Sequence, residues 1–209
     1  VVEDLVNPYS GLRVGIGWVR ERFSWGGTEP QKGIVDWQQY DASADAYAKA
    51  GVRVYQIFHD SPGWTRGDSK TTKNPADLRE VYTFTKRVAE HFKGRVNAWE
   101  VWNEPDLMWQ EQTRHSGAHY VAVLKTAWEA AKAADPKCTV LGLSHAGYME
   151  WLERAGQLGA KDYFDIATIH SYAAPSGYSA AIKQRRDMLA RYGMGDKPLW
   201  INELGATAY

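Results

Sequence analysis

Two glutamates occupy matching places in two short runs, Trp99-Glu100-Val101-Trp102-Asn103-Glu104-Pro105 and Leu199-Trp200-Ile201-Asn202-Glu203-Leu204-Gly205. Each run is built of strand-forming residues, and in each a Pro or Gly follows the last glutamate within two residues. That punctuation marks the tip of a strand. Carboxyl groups at the ends of two parallel strands suit the cleavage of a glycosidic bond. One must be protonated, to donate to the leaving oxygen. The other must be ionised, to attack or stabilise the positively charged sugar carbon.

The elements that would position these groups alternate along the chain. Strand patterns fall at 12–20, 52–59, 96–103, 138–144, 164–170 and 198–203, and helical patterns at 37–50, 76–92, 118–134, 148–158 and 180–192. In the second helical stretch Leu78, Val81, Tyr82, Thr85, Val88, Ala89 and Phe92 form one stripe. Asn74-Pro75 reads as its start signal, and Gly51, Gly94 and Gly193 stand where helices should stop. Strand and helix in alternation, without a hairpin, imply a parallel sheet with helices outside it. No Gly-x-Gly-x-x-Gly joins a strand to a helix, so a dinucleotide-binding sheet has no support. The polar candidates gather at C-terminal strand ends, where a (β/α)8 barrel carries its site. Six strands fall short of eight and fit best as the second to seventh of an incomplete barrel, with only a weak helical start at 1–6. The expectation is one catalytic barrel domain over 1–209, truncated at both ends, with additional polypeptide needed to close it.

The motifs resemble a known group at this point. Trp102-Asn103-Glu104-Pro105, His170-Ser171-Tyr172 and Asn202-Glu203-Leu204-Gly205 are similar to those of the large clan of retaining glycosidases built on (β/α)8 barrels. The stretch from Gly17 to Trp25, with Glu29-Pro30-Gln31-Lys32-Gly33 and Asp60-Ser61-Pro62-Gly63-Trp64, most resembles the β-xylosidase and α-iduronidase-like family and its bacterial relatives. The resemblance implies Glu104 as general acid/base and Glu203 as nucleophile. It implies Asn103 on the sugar 2-hydroxyl, Arg20 near the nucleophile, and Tyr172 hydrogen-bonded to it. The activity implied is double displacement on a β-linked oligo- or polysaccharide. A carbohydrate-binding barrel fragment without turnover is the alternative.

Strand periodicity speaks to some of these roles independently. Ile166, Thr168, His170 and Tyr172 share one face, apolar deep in the barrel and polar at its mouth. Leu199, Ile201 and Glu203 share another, which would set Glu203 above a dry layer, and Glu104 is expected beside Trp102. Asn103 and Glu104 are neighbours and can serve one site only if the strand ends or bulges there, as Pro105 allows. Glu100 reads as the structural ion-pair partner of Arg20, since a lone buried carboxylate would be costly. His59, at a strand end, could touch substrate or cap a turn with Asp60. Trp25, Trp64 and Trp109 lie in loops after strands and are candidate sugar-stacking rings, with His145 a weaker candidate for substrate contact.

Composition sets outer bounds. The 25 basic and 25 acidic residues cancel, so no global field attracts nucleic acid or anionic membrane. Ten tryptophans and twelve tyrosines are more than packing usually calls for, and sugars stack on such rings. Cys138 alone excludes an internal disulfide and leaves the compartment open. No apolar run is long enough to span a bilayer. The start at Val1 reads as a processed product or a piece of a longer chain. No zinc or calcium ligand spacing and no Gly-x-Ser-x-Gly elbow occurs, so no metal, no cofactor and no serine nucleophile is expected.

Overall fold

A computed structural model describes residues 2–3, 12–13, 15–66, 75–108, 117–172 and 174–205. Six strands form, β2 (Trp18–Ser24), β3 (Arg53–His59), β4 (Ala98–Val101), β5 (Thr139–His145), β6 (Ile166–Ser171) and β7 (Leu199–Leu204), the first of them later than the expected 12–20, of which residues 12–13 are helical. A two-residue strand, β1 (Val2–Glu3), pairs with β2 where a helical start was expected. Its apolar spacing over a few residues fits either period, and the backbone of β2 offers an edge to extend. All neighbours run parallel, in the order β1 to β7.

The sheet curls on itself. Trp18 of β2 and Trp200 of β7 lie 5.3 Å apart, edge to face, although four strands separate theirs in the sheet. Their rings close an interior layer with Tyr55, Ala98, Leu141 and Ile166, one residue from each strand between. Such a layer is the packed floor of a barrel, built by residues of like parity from successive strands. Among the described residues β7 is paired on one side only, so the curl remains an incomplete barrel.

The outer face of the sheet is covered by α2 (Gln38–Ala50), α3 (Leu78–His91), α5 (Gly117–Ala134), α6 (Met149–Gln157) and α7 (Tyr178–Arg191). Two short helices, α1 (Trp25–Thr28) and α4 (Pro105–Met108), follow β2 and β4. Helix α3 starts on Asp77, whose side chain accepts the Arg79 N–H, and buries Val81, Phe84, Thr85, Val88 and Ala89. Phe84 replaces Tyr82 in the expected stripe; Tyr82 is exposed. Phe84 stacks on Trp25 at 4.7 Å and on Phe58 at 5.7 Å, so aromatic rings weld this helix to the sheet. No helix among the described residues is long and apolar enough to cross a membrane.

Two expectations about parity are corrected at the strand tips. In β7 it is Trp200 that joins the interior floor, while Leu199 packs against the outer core. The register then shifts, pairing Ile169 with Ile201 but His170 with Glu203. This bulge brings both Asn202 and Glu203 inward, one beneath the other. Trp102 belongs to the outer core as well, edge-on to Phe58 at 6.4 Å, because it leaves β4 with φ 70°.

Candidate active site

The C-terminal tips of the strands deliver one connected polar cluster. Arg20 of β2 stands at its centre and is almost wholly buried. Its Nε donates to Glu100 Oε2 at 3.1 Å, its Nη1 to Glu203 Oε2 at 2.8 Å and its Nη2 to Asn103 Oδ1 at 2.6 Å. One guanidinium therefore aligns side chains from β4, from the turn after it and from β7. This planar fork of donors is what arginine offers and lysine lacks. Burial is the largest single influence and would lower the Arg20 pKa, but the charge and hydrogen bond of Glu100, with the charges of Tyr55 and Glu203, together outweigh it and the pKa is raised.

Glu100, fully buried, is the structural counter-ion that its position suggested. Its Oε1 accepts from Thr168 Oγ1 at 2.9 Å and from Asn202 Nδ2 at 2.6 Å, so both oxygens are satisfied. A buried ion pair holds only when such extra hydrogen bonds complete it. It forms the polar layer between the apolar floor and the mouth.

At the mouth, Glu104 and Glu203 meet across His170. Nδ1 of His170 lies 2.8 Å from Glu104 Oε1 and 3.5 Å from Glu203 Oε2. One donor atom each from Glu104, His170 and Glu203 falls within 4.8 Å of the others. Three such atoms could gather round a cation, but Arg20 already supplies the positive charge at Glu203. The Tyr172 hydroxyl hydrogen-bonds to Glu203 Oε1. Burial pushes the Glu203 pKa up, and the Tyr172 hydrogen bond with the charges of His170 and Arg20 more than reverse this, leaving it lowered. Reciprocally, the hydrogen bond to Glu203 pushes the Tyr172 phenol up to about 12.

The local backbone departs from strand geometry to make this meeting possible. Strand β4 ends at Val101, and Trp102 and Glu104 take φ values of 70° and 44°. Left-handed residues other than glycine are strained and concentrate at working sites. The kinked segment is held by Trp102 N–H to Phe58 O at 2.9 Å and Glu104 N–H to Ser144 O at 3.1 Å. Strand β5 also breaks register, with Leu143 at φ 80° and Ser144 at 38°, which sets Ser144 Oγ 3.5 Å from His170 Nε2.

The remaining candidates divide. Trp25 is 0% exposed, stacked on Phe84, with its indole N–H donated to Glu29 Oε2 at 3.0 Å. Its faces are covered, so it is a core residue and not a stacking ring for sugar. Trp64 is half-buried, edge-on to Trp25 at 5.9 Å, and donates to Glu29 O at 3.1 Å. His59 caps its turn through Nδ1 to Asp60 Oδ2 at 2.9 Å, and its Nε2 is buried without a hydrogen-bond partner among the described residues. His145 is fully buried, its ring lying 6.1 Å from that of Trp151. Trp109 lies outside the described residues. Sequence reasoning missed Thr168, Asn202 and Ser144 as supports of the site. Thr168 shares the His170 face and was within reach of that argument. The other two enter only through the bulges.

Comparison with known proteins now bears on this geometry. The profile of glycosyl hydrolase family 10 matches residues 20–143, which run from the central arginine through the Glu104 segment to β5. The chain belongs to glycosyl hydrolase family 10. Endo-1,4-beta-xylanase C of Phanerodontia chrysosporium is 31% identical over 121 residues, covering 54% of this chain and 29% of that enzyme. Endo-1,4-beta-xylanase 1 of Humicola insolens is 32% identical over 122 residues, covering 54% of this chain and 27% of that one. The family 10 chain thus spans under a third of the length of these curated relatives. Among solved structures, a family 39 β-xylosidase from Caulobacter crescentus superposes with a TM-score of 0.74 at 21% identity, covering 97% of this chain and 49% of that one. A family 10 xylanase from Thermobacillus composti does so at 0.70 and 19%, covering 100% and 68%. These neighbours share the barrel fold. The kinship with barrel glycosidases implied by the Trp-Asn-Glu-Pro and Asn-Glu motifs holds.

Proposed function

We propose that this protein is a retaining glycoside hydrolase acting by double displacement on β-linked, xylose-containing oligo- or polysaccharides. The observation that carries the reading is the approach of Glu104 and Glu203, with donor atoms within 4.8 Å of one another. Retaining enzymes hold their two carboxyl groups ~5–5.5 Å apart, whereas inverting enzymes leave ~6.5–9.5 Å for a water. Names of the sequence relatives favour xylan-type substrates.

In this reading Glu203 attacks the anomeric carbon while Glu104 donates its proton to the departing oxygen. The Glu203–carbon bond forms as the carbon–oxygen bond breaks. Glu104, now a carboxylate, takes a proton from water, and that water displaces Glu203 and restores both groups. Arg20 and Tyr172 hold Glu203 ionised and fix its attacking oxygen. Asn103, with its oxygen engaged by Arg20, offers its amide N–H to the sugar 2-hydroxyl. Trp64 and His59 are further substrate contacts in this reading, as is Trp109 on the sequence argument alone. Hydrolysis of an aryl β-xyloside followed by NMR tests the proposal: the first sugar released should be the β-anomer, and release of the α-anomer would refute it.

Additional polypeptide is proposed to complete the barrel. The side of β7 that is left unpaired among the described residues, with Leu204 59% exposed at its tip, supports this. An unpaired parallel edge leaves backbone groups and apolar faces uncovered. Binding without turnover remains the competing reading that this open edge favours, and an absence of hydrolysis with retained xylo-oligosaccharide binding would establish it.

A further inference from the structure

Asp106 follows Glu104 by two residues, is 0% exposed, and is used by none of the steps above. Its side chain crosses to the next strand tip. Oδ1 accepts the N–H of Ala146 at 3.0 Å, and Oδ2 accepts those of Gly147 at 3.0 Å and Tyr148 at 3.1 Å. Three successive backbone donors converging on one carboxylate make an anion nest. Neither nearby basic side chain has a hydrogen bond to it among the described residues. His145 Nε2 stands 3.7 Å from Oδ2, and Arg185 of α7 acts on it only through its charge.

The two loops joined in this way are those that shape the acid/base side of the site. Glu104 N–H is bonded to Ser144 O, and Leu107 N–H to Glu104 O at 3.0 Å. Glu104 holds its φ of 44° between these ties, and its carboxyl meets His170, which Ser144 Oγ also approaches. A left-handed glutamate persists only where its surroundings over-determine it. The Asp106 nest is the strongest tie between the 104–108 turn and the 144–148 loop, since charge-assisted hydrogen bonds are about twice as strong as neutral ones.

We infer that Asp106 is the positioning residue for the Glu104 carboxyl, clamping the strand-four tip to the strand-five loop so that the proton is delivered in line with the leaving oxygen. The inference rests on the hydrolase reading above and adds to it a residue that touches no substrate. A displaced general acid hurts only the step that needs it. Substrates whose leaving group departs without protonation should pass through glycosylation unharmed.

The test compares kcat/KM of wild type and Asp106→Asn on phenyl and 2,4-dinitrophenyl β-xylosides, with circular dichroism to confirm folding. Asparagine keeps one acceptor oxygen and loses the charge. For the phenyl substrate kcat/KM should fall roughly tenfold to a hundredfold, the range for a reacting group displaced by about an ångström. For the dinitrophenyl substrate it should change by less than about threefold, because general acid assistance is not required there. Asp106→Glu, which keeps the charge but shifts the carboxylate, should show the same split in weaker form and serves if the asparagine variant does not fold. Equal losses on both substrates, or none on either, would overturn the inference and leave Asp106 a purely structural residue. A wild type inert toward both substrates would instead overturn the hydrolase reading, and this inference with it.

Discussion

Replacing Glu100 with glutamine tests whether the layer beneath the mouth sets the stability of the site. The substitution keeps the shape and removes one charge from a fully buried position. A carboxylate there accepts on both oxygens, from Arg20 on one and from Thr168 and Asn202 on the other. Glutamine has a single acceptor oxygen, so its amide nitrogen must face a donor whichever way it turns. Removing one partner of a buried ion pair costs about 3–5 kcal/mol. Glu203 still faces Arg20 at 2.8 Å, which favours the low end, about 3 kcal/mol. For a domain of this size each kcal/mol lowers Tm by about 2–4 °C, so calorimetry should record a drop of roughly 6–12 °C. Activity should fall as well, because Arg20 would lean further on Glu203 and weaken it in its proposed role as nucleophile. A Tm within about 2 °C of wild type would refute the assignment of Glu100 as the principal counter-charge of Arg20.

Other outcomes follow from the same structure. Tyr172→Phe removes the first of the interactions that hold Glu203 below its ordinary range. A depressed carboxylate pKa benefits the ionised form above the unfolded value and loses that benefit as pH falls through the folded one. The acid limb of kcat/KM should therefore move to higher pH in the variant; an unmoved limb would exclude Tyr172 from that role. Thr85→Val should stabilise the protein by about 1 kcal/mol in urea titration, since the Thr85 hydroxyl is buried with no hydrogen-bond partner among the described residues, beside an apolar cavity lined by Phe58, Val88 and Trp99. Trp25→Phe should lower Tm but leave KM unchanged, and a raised KM at constant stability would restore Trp25 to the substrate site.

Much of the architecture was legible because strands β2 to β7 carry period-two or wholly apolar patterns closed by Gly, Pro or Asn. The Arg20–Glu100 pair could be foreseen because charge at inward parity demands a partner. What parity could not supply was the geometry of the tips. Trp102, Glu104, Leu143 and Ser144 adopt positive φ without being glycine, so no residue type announces the turn. Trp102 therefore swings to the outer core, and the β6–β7 register shift carries Asn202 into the inner layer, both against simple alternation. Trp25 was misplaced because a loop tryptophan reads as available until Glu29 and Phe84 are seen to enclose it. Asp106 gave no signal, since its three donors lie about forty residues ahead in the chain.

The central claim is that Glu203 becomes covalently bound to the sugar while Glu104 exchanges protons. Incubation with a 2,4-dinitrophenyl 2-deoxy-2-fluoro-β-xyloside, followed by proteolysis and tandem mass spectrometry, reads this directly. The fluorine slows both steps and the activated leaving group restores the first, so the intermediate accumulates. A single adduct, one fluorosugar in mass, is expected on the carboxyl of Glu203. An adduct on Glu104, or inactivation with no adduct on either glutamate, would contradict it.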